Sequence, residues 1–261
     1  MPSRNVIDIH KLSFSFAKDP VLQDICLNFA KGKFYTILGP NGSGKTTLLK
    51  TIAKLYEIKQ GEISVNGVSL ETLTPKNLAQ QLAVMPQDTA IEFEFSVLDV
   101  VMMGRNPYLS RFVEESEADL NLARQAMEIT NTWHLRDRSI TQLSGGERQR
   151  VMIARALTQQ TGIIALDEPV SHLDIHHQIA LLKQISEMNR VHEVTVLAVL
   201  HDLNLAAAFS DYLVLMHQGR IHCHGVPEEV LKPDIIEAVY GVAVHIIQAP
   251  DTGRPYVIPK I

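Results

Sequence analysis

The octapeptide Gly39-Pro40-Asn41-Gly42-Ser43-Gly44-Lys45-Thr46 fits the pattern G-x-x-x-x-G-K-[ST]. Before it, Lys33-Phe34-Tyr35-Thr36-Ile37-Leu38 is a β-prone run that stops at Gly39. After it, Leu48, Leu49, Ile52, Ala53 and Leu55 fall on one side of a helix. Strand, glycine loop and helix in that order make a phosphate receptor. The glycines let the backbone turn inward with no Cβ in the way, so that successive N–H groups face one anion. The helix adds the positive end of its dipole. Lys45 brings a mobile charge to the terminal phosphates, and the Thr46 hydroxyl can ligate Mg2+. The expected ligands are therefore ATP and Mg2+, held by Gly39, Pro40, Asn41, Gly42, Ser43, Gly44, Lys45, Thr46 and the following Thr47.

Two further elements belong beside this loop. Residues 163–166 read Ile-Ile-Ala-Leu, a buried strand, and Asp167-Glu168 follow at its carboxyl end, where parallel sheets hold their ligands. Asp167 is expected to orient toward Mg2+ and Glu168 to polarise the attacking water. Two acids at a strand end can also simply mark its exit into solvent, but Pro169 stops this strand beside a phosphate loop. His201 directly follows the apolar run 194–200, which places it at the same sheet edge, within reach of a γ-phosphate. Alone, such a histidine is more often a surface or capping residue.

Outward from the site, residues 6–12 and 25–29 alternate apolar and polar, as half-buried antiparallel strands do, and 61–67 form a short strand with an Asn-Gly turn. Helical character fills 96–157: Val97, Val100, Val101 and Gly104 share one face, and Leu120, Ala123, Ala126 and Met127 another after the acidic stretch 114–119. Helices are expected near 175–189 and 203–209, between continuous apolar strands. That alternation indicates an α/β core with a parallel sheet covered on both faces.

Leu143-Ser144-Gly145-Gly146-Glu147 opens a helix through Val151, Ala154, Ala156 and Leu157, which makes a second anion receptor. It comes 99 positions after Lys45 (144 − 45), inside the helical region. A head-to-tail pair of chains lets the two receptors grip opposite sides of one ATP.

With these motifs in order, the sequence closely resembles the ATP-binding subunits of ATP-binding cassette transporters over nearly its whole length. The resemblance implies a P-loop NTPase (RecA-like) core with an antiparallel β subdomain and an inserted α-helical subdomain. The whole chain, 1–261, is expected to be one ATPase domain, with 1–88 and 159–230 as core, 89–158 as helical subdomain and 231–261 as C-terminal segment. Phe16 sits where the family stacks an aromatic ring on adenine. Residues 39–46 resemble its Walker A motif and 163–168 its Walker B motif. Gln87, in Met85-Pro86-Gln87, matches the glutamine that senses metal and attacking water. Ser144, Gly145, Gly146 and Glu147 belong to the signature motif, Ser171-His172-Leu173-Asp174 resembles the D-loop, and His201 the switch histidine. Three positions depart mildly from the commonest pattern: Glu147 stands for a frequent glutamine, His172 for a small residue and Phe16 for a tyrosine.

The resemblance further implies a dimer of two copies closing on two ATP molecules, docked to integral membrane permease subunits at the cytoplasmic face of the cell membrane. Residues 96–108, and the segment from Gly225 to Pro255, look like the importers for iron–siderophore, haem and cobalamin compounds, which also implies a solute-binding protein upstream. The chain is expected to transport nothing by itself. Its longest apolar run is far shorter than the roughly 20 residues that cross a bilayer as a helix.

Bulk composition fits. Of 261 residues, 46% are hydrophobic and 20% charged, and the net charge of −5 gives no global basic footprint for nucleic acid. Two distant cysteines, Cys26 and Cys223, argue against a disulfide framework. The pairs His176-His177 and His222/His224 lack partner ligands at metal-binding spacing. The rival reading is a non-transport cassette ATPase of the DNA-repair or translation type. Those relatives usually carry two cassettes or a long coiled coil, and neither is present. A nucleotide-dependent scaffold without turnover would lack Glu168 or His201.

Overall fold

The computed structural model describes residues 4–17, 19–87, 93–109, 115–171 and 173–260. Strands β1 (Asn5–Phe16) and β2 (Asp19–Ala30) pair antiparallel, and β4 (Gln60–Val65) with β5 (Val68–Ser69) extends them into a four-stranded sheet of order β2-β1-β4-β5. The register stacks like on like. Ile7 faces Phe29 and Val65, and Ile9 faces Leu27 and Ile63, so the apolar half of each alternating strand is buried together.

The central sheet has six strands. Its order is β10 (Arg220–Gly225), β9 (Tyr212–His217), β3 (Phe34–Leu38), β8 (Thr195–Val199), β7 (Ile163–Asp167) and β6 (Leu82–Met85). The five strands from β9 to β6 run parallel, and β10 returns antiparallel along the edge. Every residue of β3, β7 and β8 is buried, which is why those segments read as largely apolar runs, each with one polar residue, Thr36, Asp167 and Thr195.

One face of this sheet packs against helix α1 (Lys45–Ile52) and the four-stranded sheet, through Phe29, Ile37, Leu48, Ile52, Val199 and Met216. The other face is covered by α6 (Ile175–His192), α7 (Leu203–Phe209) and α9 (Pro233–Tyr240), and is continuous with the packing of α3 (Val97–Met102), α4 (Glu117–Ile129) and α5 (Gly145–Thr158). Two short helices, α2 (Pro75–Ala79) and α8 (Pro227–Val230), sit on connections and begin with proline at the first helical position.

Helices α3, α4 and α5 stand between β6 and β7 in the chain. Each opens on a serine capping box: Ser96 with Asp99, Ser116 with Asp119, Ser144 with Glu147. Gly104 lets the turn after α3 lie against α5, since a Cβ there would come within 2.3 Å of the Arg155 carbonyl oxygen. Helix α4 starts at Glu117 behind the Ser116 cap; residue 114 of the expected acidic start lies outside the described residues.

The chain then closes with a hairpin of β11 (Val244–Gln248) and β12 (Pro255–Pro259) that is fastened to α7. The Asn204 amide exchanges two hydrogen bonds with the Val257 main chain, donating at 3.2 Å and accepting at 2.7 Å. The Arg254 guanidinium donates to the carbonyls of Ala207 and Ser210 at the C-terminal end of α7. Strands β6, β9 and β10 and this hairpin were not expected from the sequence.

Candidate active site

Four parallel strands end on the same edge of the central sheet, and each delivers one part of the site. The turn from β3 into α1 is the glycine loop. Gly39 has φ +149°, and a Cβ there would meet the Met216 carbonyl oxygen at 2.2 Å; Gly44, at φ +99°, caps α1. The loop is braced from outside. The Gly219 N–H, at the β9–β10 turn, donates to the Ser43 carbonyl at 3.2 Å, and the Gln23 N–H of β2 donates to the Gly219 carbonyl at 2.8 Å.

The loop borders a cleft of about 640 Å³ lined by Asn41, Gly42, Gly44, Lys45, Thr46 and Thr47, with Gln87 after β6, Glu168 after β7 and His201 after β8. Thus the sequence-derived constellation converges in space. Val21 of β2 completes the wall, a residue without a motif signal. Gly39, Pro40 and Ser43 form the loop behind this lining, with Ser43 buried.

Lys45 is buried, and its ammonium donates to the carbonyls of Gly39 at 2.8 Å and Pro40 at 3.0 Å. Burial lowers its pKa, opposed by the charges of Glu168 and Asp167. Asp167 is fully buried at the end of β7. Its Oδ1 accepts from the Thr46 hydroxyl at 3.0 Å, while Oδ2 is buried without a partner among the described residues. Burial pushes its carboxyl pKa up, against the Thr46 hydrogen bond. A buried carboxylate oxygen with a free lone pair beside a hydroxyl is the donor set a hard divalent cation takes.

Glu168 turns the chain out of β7 at φ +53°, a left-handed conformation that strains a residue with a side chain by about 1 kcal/mol or more. Its carboxylate Oε1 lies 2.6 Å from His201 Nε2. His201 therefore meets Glu168 directly, in addition to facing the cleft. Its ring is exposed beside that contact.

The remaining predicted residues sit apart from the cleft in this single chain. Phe16 is 47% exposed and stands edge-on to Phe14 at 4.9 Å and to Tyr56 at 5.3 Å, so one aromatic group carries a free ring surface. Ser144 caps α5: its hydroxyl and N–H both donate to Glu147, whose N–H returns a bond. These bonds hold the Glu147 carboxyl below its usual range. Gly145 is exposed, with no atom within 4 Å of a Cβ position, and Gly146 is half-buried behind it. Asp174 caps α6, accepting from the His177 N–H at 3.0 Å. Ser171 bonds back to the Glu168 carbonyl, and His172 lies outside the described residues.

Two further contributors carried no sequence signal. Tyr240 of α9 brings its hydroxyl to the Gly39 main chain, and burial pushes it up to about 12. Gln149 of α5 donates to the Glu168 carbonyl at 2.8 Å.

The family model described as "ABC transporter" matches residues 22–171, which contain the glycine loop, the Ser144 helix end and the Asp167-Glu168 pair. The chain belongs to the ABC transporter ATP-binding family. This cassette is 36% identical over 249 residues to the ferric enterobactin transport ATP-binding protein of Escherichia coli K12, covering 95% of this chain and 92% of that one. It is 34% identical over 251 residues to the iron(3+)-hydroxamate import ATP-binding protein of Bacillus subtilis 168, covering 96% and 93%. Its structure overlays that of a metal-chelate type ABC transporter in an inward-facing conformation with a TM-score of 0.85 and 27% identity, covering 99% of this chain and 98% of that one. The cassette is an ATPase with a P-loop NTPase fold. None of its helices, among the described residues, is long and apolar enough to cross a membrane.

Proposed function

We propose that this cassette powers uptake of a metal chelate or cobalamin-type compound through an integral permease, as a pair of copies at the cytoplasmic face of the membrane. The observation that carries the mechanism is the separation of two anion receptors in one chain. The glycine loop and its catalytic edge form one cleft, while the exposed N-terminal end of α5 at Ser144 and Gly145 points elsewhere. A twofold pair brings the Ser144 end of one copy onto the triphosphate held by the other. Relatives named for ferric enterobactin, iron(3+)-hydroxamate and cobalamin import support the cargo class. Delivery of such cargo by a solute-binding protein belongs to the same reading.

In that arrangement the loop N–H groups and the α1 dipole hold the phosphates, and Lys45 moves from the carbonyls of Gly39 and Pro40 to the terminal phosphates. Phe16 offers its ring to adenine. Thr46, Asp167 and Gln87 would hold Mg2+, which supplies charge neutralisation on the phosphate oxygens. Glu168 takes the proton of the attacking water, and His201 steadies the γ-phosphate. Closing the pair dries the site, which strengthens each of these interactions. Asp174 and the D-loop around it reach toward the partner copy. The division into core (1–88, 159–230), helical subdomain (89–158) and C-terminal segment (231–261) lets α3, α4 and α5 move as a unit and pull on the permease.

The test is a Ser144→Arg variant in a Glu168→Gln background that traps the ATP state. Nucleotide binding is expected to persist while the ATP-induced dimer is lost on size-exclusion chromatography. A variant that dimerises normally refutes the pairing. Purification from membranes with the permease, and its cargo identified by uptake of labelled chelates, tests the transport class.

A further inference from the structure

We propose that Gln149 is a positioning residue for Glu168. It lies in the first half of α5, on the helix that opens with Ser144, and is only 2% exposed. Its amide Nε2 donates to the Glu168 main-chain carbonyl at 2.8 Å. Its Oε1 is buried with no partner among the described residues. A buried amide keeping one bond and an unmatched oxygen is a poor packing choice, since an apolar side chain of the same length leaves nothing unsatisfied. What the amide provides is a fixed carbonyl at the residue that bears the base.

That residue needs fixing. Glu168 has φ +53° where β7 ends, so its backbone sits in a strained well that relaxes unless its neighbours hold it. Two other donors reach the same carbonyl, the Ser171 N–H at 3.3 Å and the Ser171 hydroxyl at 3.1 Å, but both lie within the same local turn and move with it. Gln149 ties this carbonyl to a separate, rigid element, as Gln178 of α6 ties the neighbouring Val170 carbonyl at 3.1 Å. Through Gln149 the carboxylate is held where His201 Nε2 meets it at 2.6 Å. The bond also joins the helix bearing the second anion receptor to the base of the first, inside one chain.

This inference rests on Glu168 acting as the base, and the experiment separates the two. ATP hydrolysis by the full chain is measured for Gln149→Met, which removes the amide, and Gln149→Glu, which keeps the shape but removes the donor. Both are expected to lower kcat about tenfold or more, equal to about 1.4 kcal/mol of lost transition-state stabilisation, with KM for ATP within about twofold of the parent. Adding Gln149→Met to Glu168→Gln is expected to leave the ATP-induced dimer at the level of Glu168→Gln alone. Unchanged kcat, a rise in KM at constant kcat, or loss of the dimer in the double variant overturns the proposal. Loss of the folded state in both Gln149 variants makes the side chain a packing element and overturns it too. Wild-type turnover in Glu168→Gln alone refutes the base assignment instead.

Discussion

Replacing Gly39 by alanine puts a single methyl group where the loop leaves β3. The added Cβ would lie 2.2 Å from the Met216 carbonyl oxygen and 2.6 Å from the Ser43 hydroxyl. Carbon and oxygen drawn together by a weak hydrogen bond still stand about 3.3 Å apart, so roughly 1 Å of clearance is needed. The Met216 carbonyl cannot supply it, because β9 is locked in the sheet beside β3, with Ile37 opposite Val214 and Leu38 opposite Leu215. The loop must move. A displacement of about 1 Å in a phosphate-positioning element costs on the order of a hundredfold in rate, or about 2.7 kcal/mol, and overpacking adds a stability loss of about 1–3 kcal/mol. Steady-state ATPase assays should therefore show turnover reduced about a hundredfold, with the thermal midpoint lowered by several degrees. The same substitution at Gly145, where no atom lies within 4 Å of the added Cβ, is the control and should leave the midpoint unchanged or slightly raised. Gly39→Ala with near-parental turnover and an unshifted midpoint would show that the loop is not held against β9 as described.

Asp167→Asn should raise the thermal midpoint of the nucleotide-free protein while abolishing Mg2+-dependent turnover, because it removes a buried charge whose Oδ2 has no partner among the described residues; differential scanning calorimetry paired with an ATPase assay reads both. Asp119 accepts from Ser116 and Arg105, which hold its carboxyl down at about 2 against an ordinary 3.8. A depressed carboxyl stabilises the fold above its unfolded value, and that contribution is lost as pH falls from about 4 through about 2. Urea unfolding across that window should show a steeper acid loss for the parent than for Asp119→Asn, and equal slopes would remove Asp119 from the acid response.

The legible parts of this molecule are those whose cause is local. The runs at 163–166 and 194–200 read as strands because β7 and β8 are buried on both faces, leaving Thr195 as the one polar residue in either run. The Ser144–Glu147 spacing announces a helix start because the two side chains and their own backbone complete the capping box. Where the cause is distant the signal fails. Strand β6 has four residues, Leu-Ala-Val-Met, whose composition suits a helix as well, and it is a strand because it pairs with β7. The edge strand β10 mixes Arg220, His222 and His224 with apolar residues and is set by its hairpin with β9. In the site, the motif residues at 39–46, 167–168 and 201 were readable from chemistry and chain order. Val21, Tyr240 and Gln149 were not, since each acts through neighbours far along the chain that only folding supplies. Asp174 shows the reverse limit. Its visible employment in a lone chain is to cap α6.

On the proposed role of Lys45, the two carbonyls that hold its ammonium also bear on how firmly nucleotide is kept. A triphosphate does not meet a naked cation; it competes with Gly39 and Pro40 for a charge already accommodated, so only the difference between two settings contributes to affinity. Such a swap favours ready discharge of spent nucleotide over tenacious retention, which is the temperament a cycling engine requires.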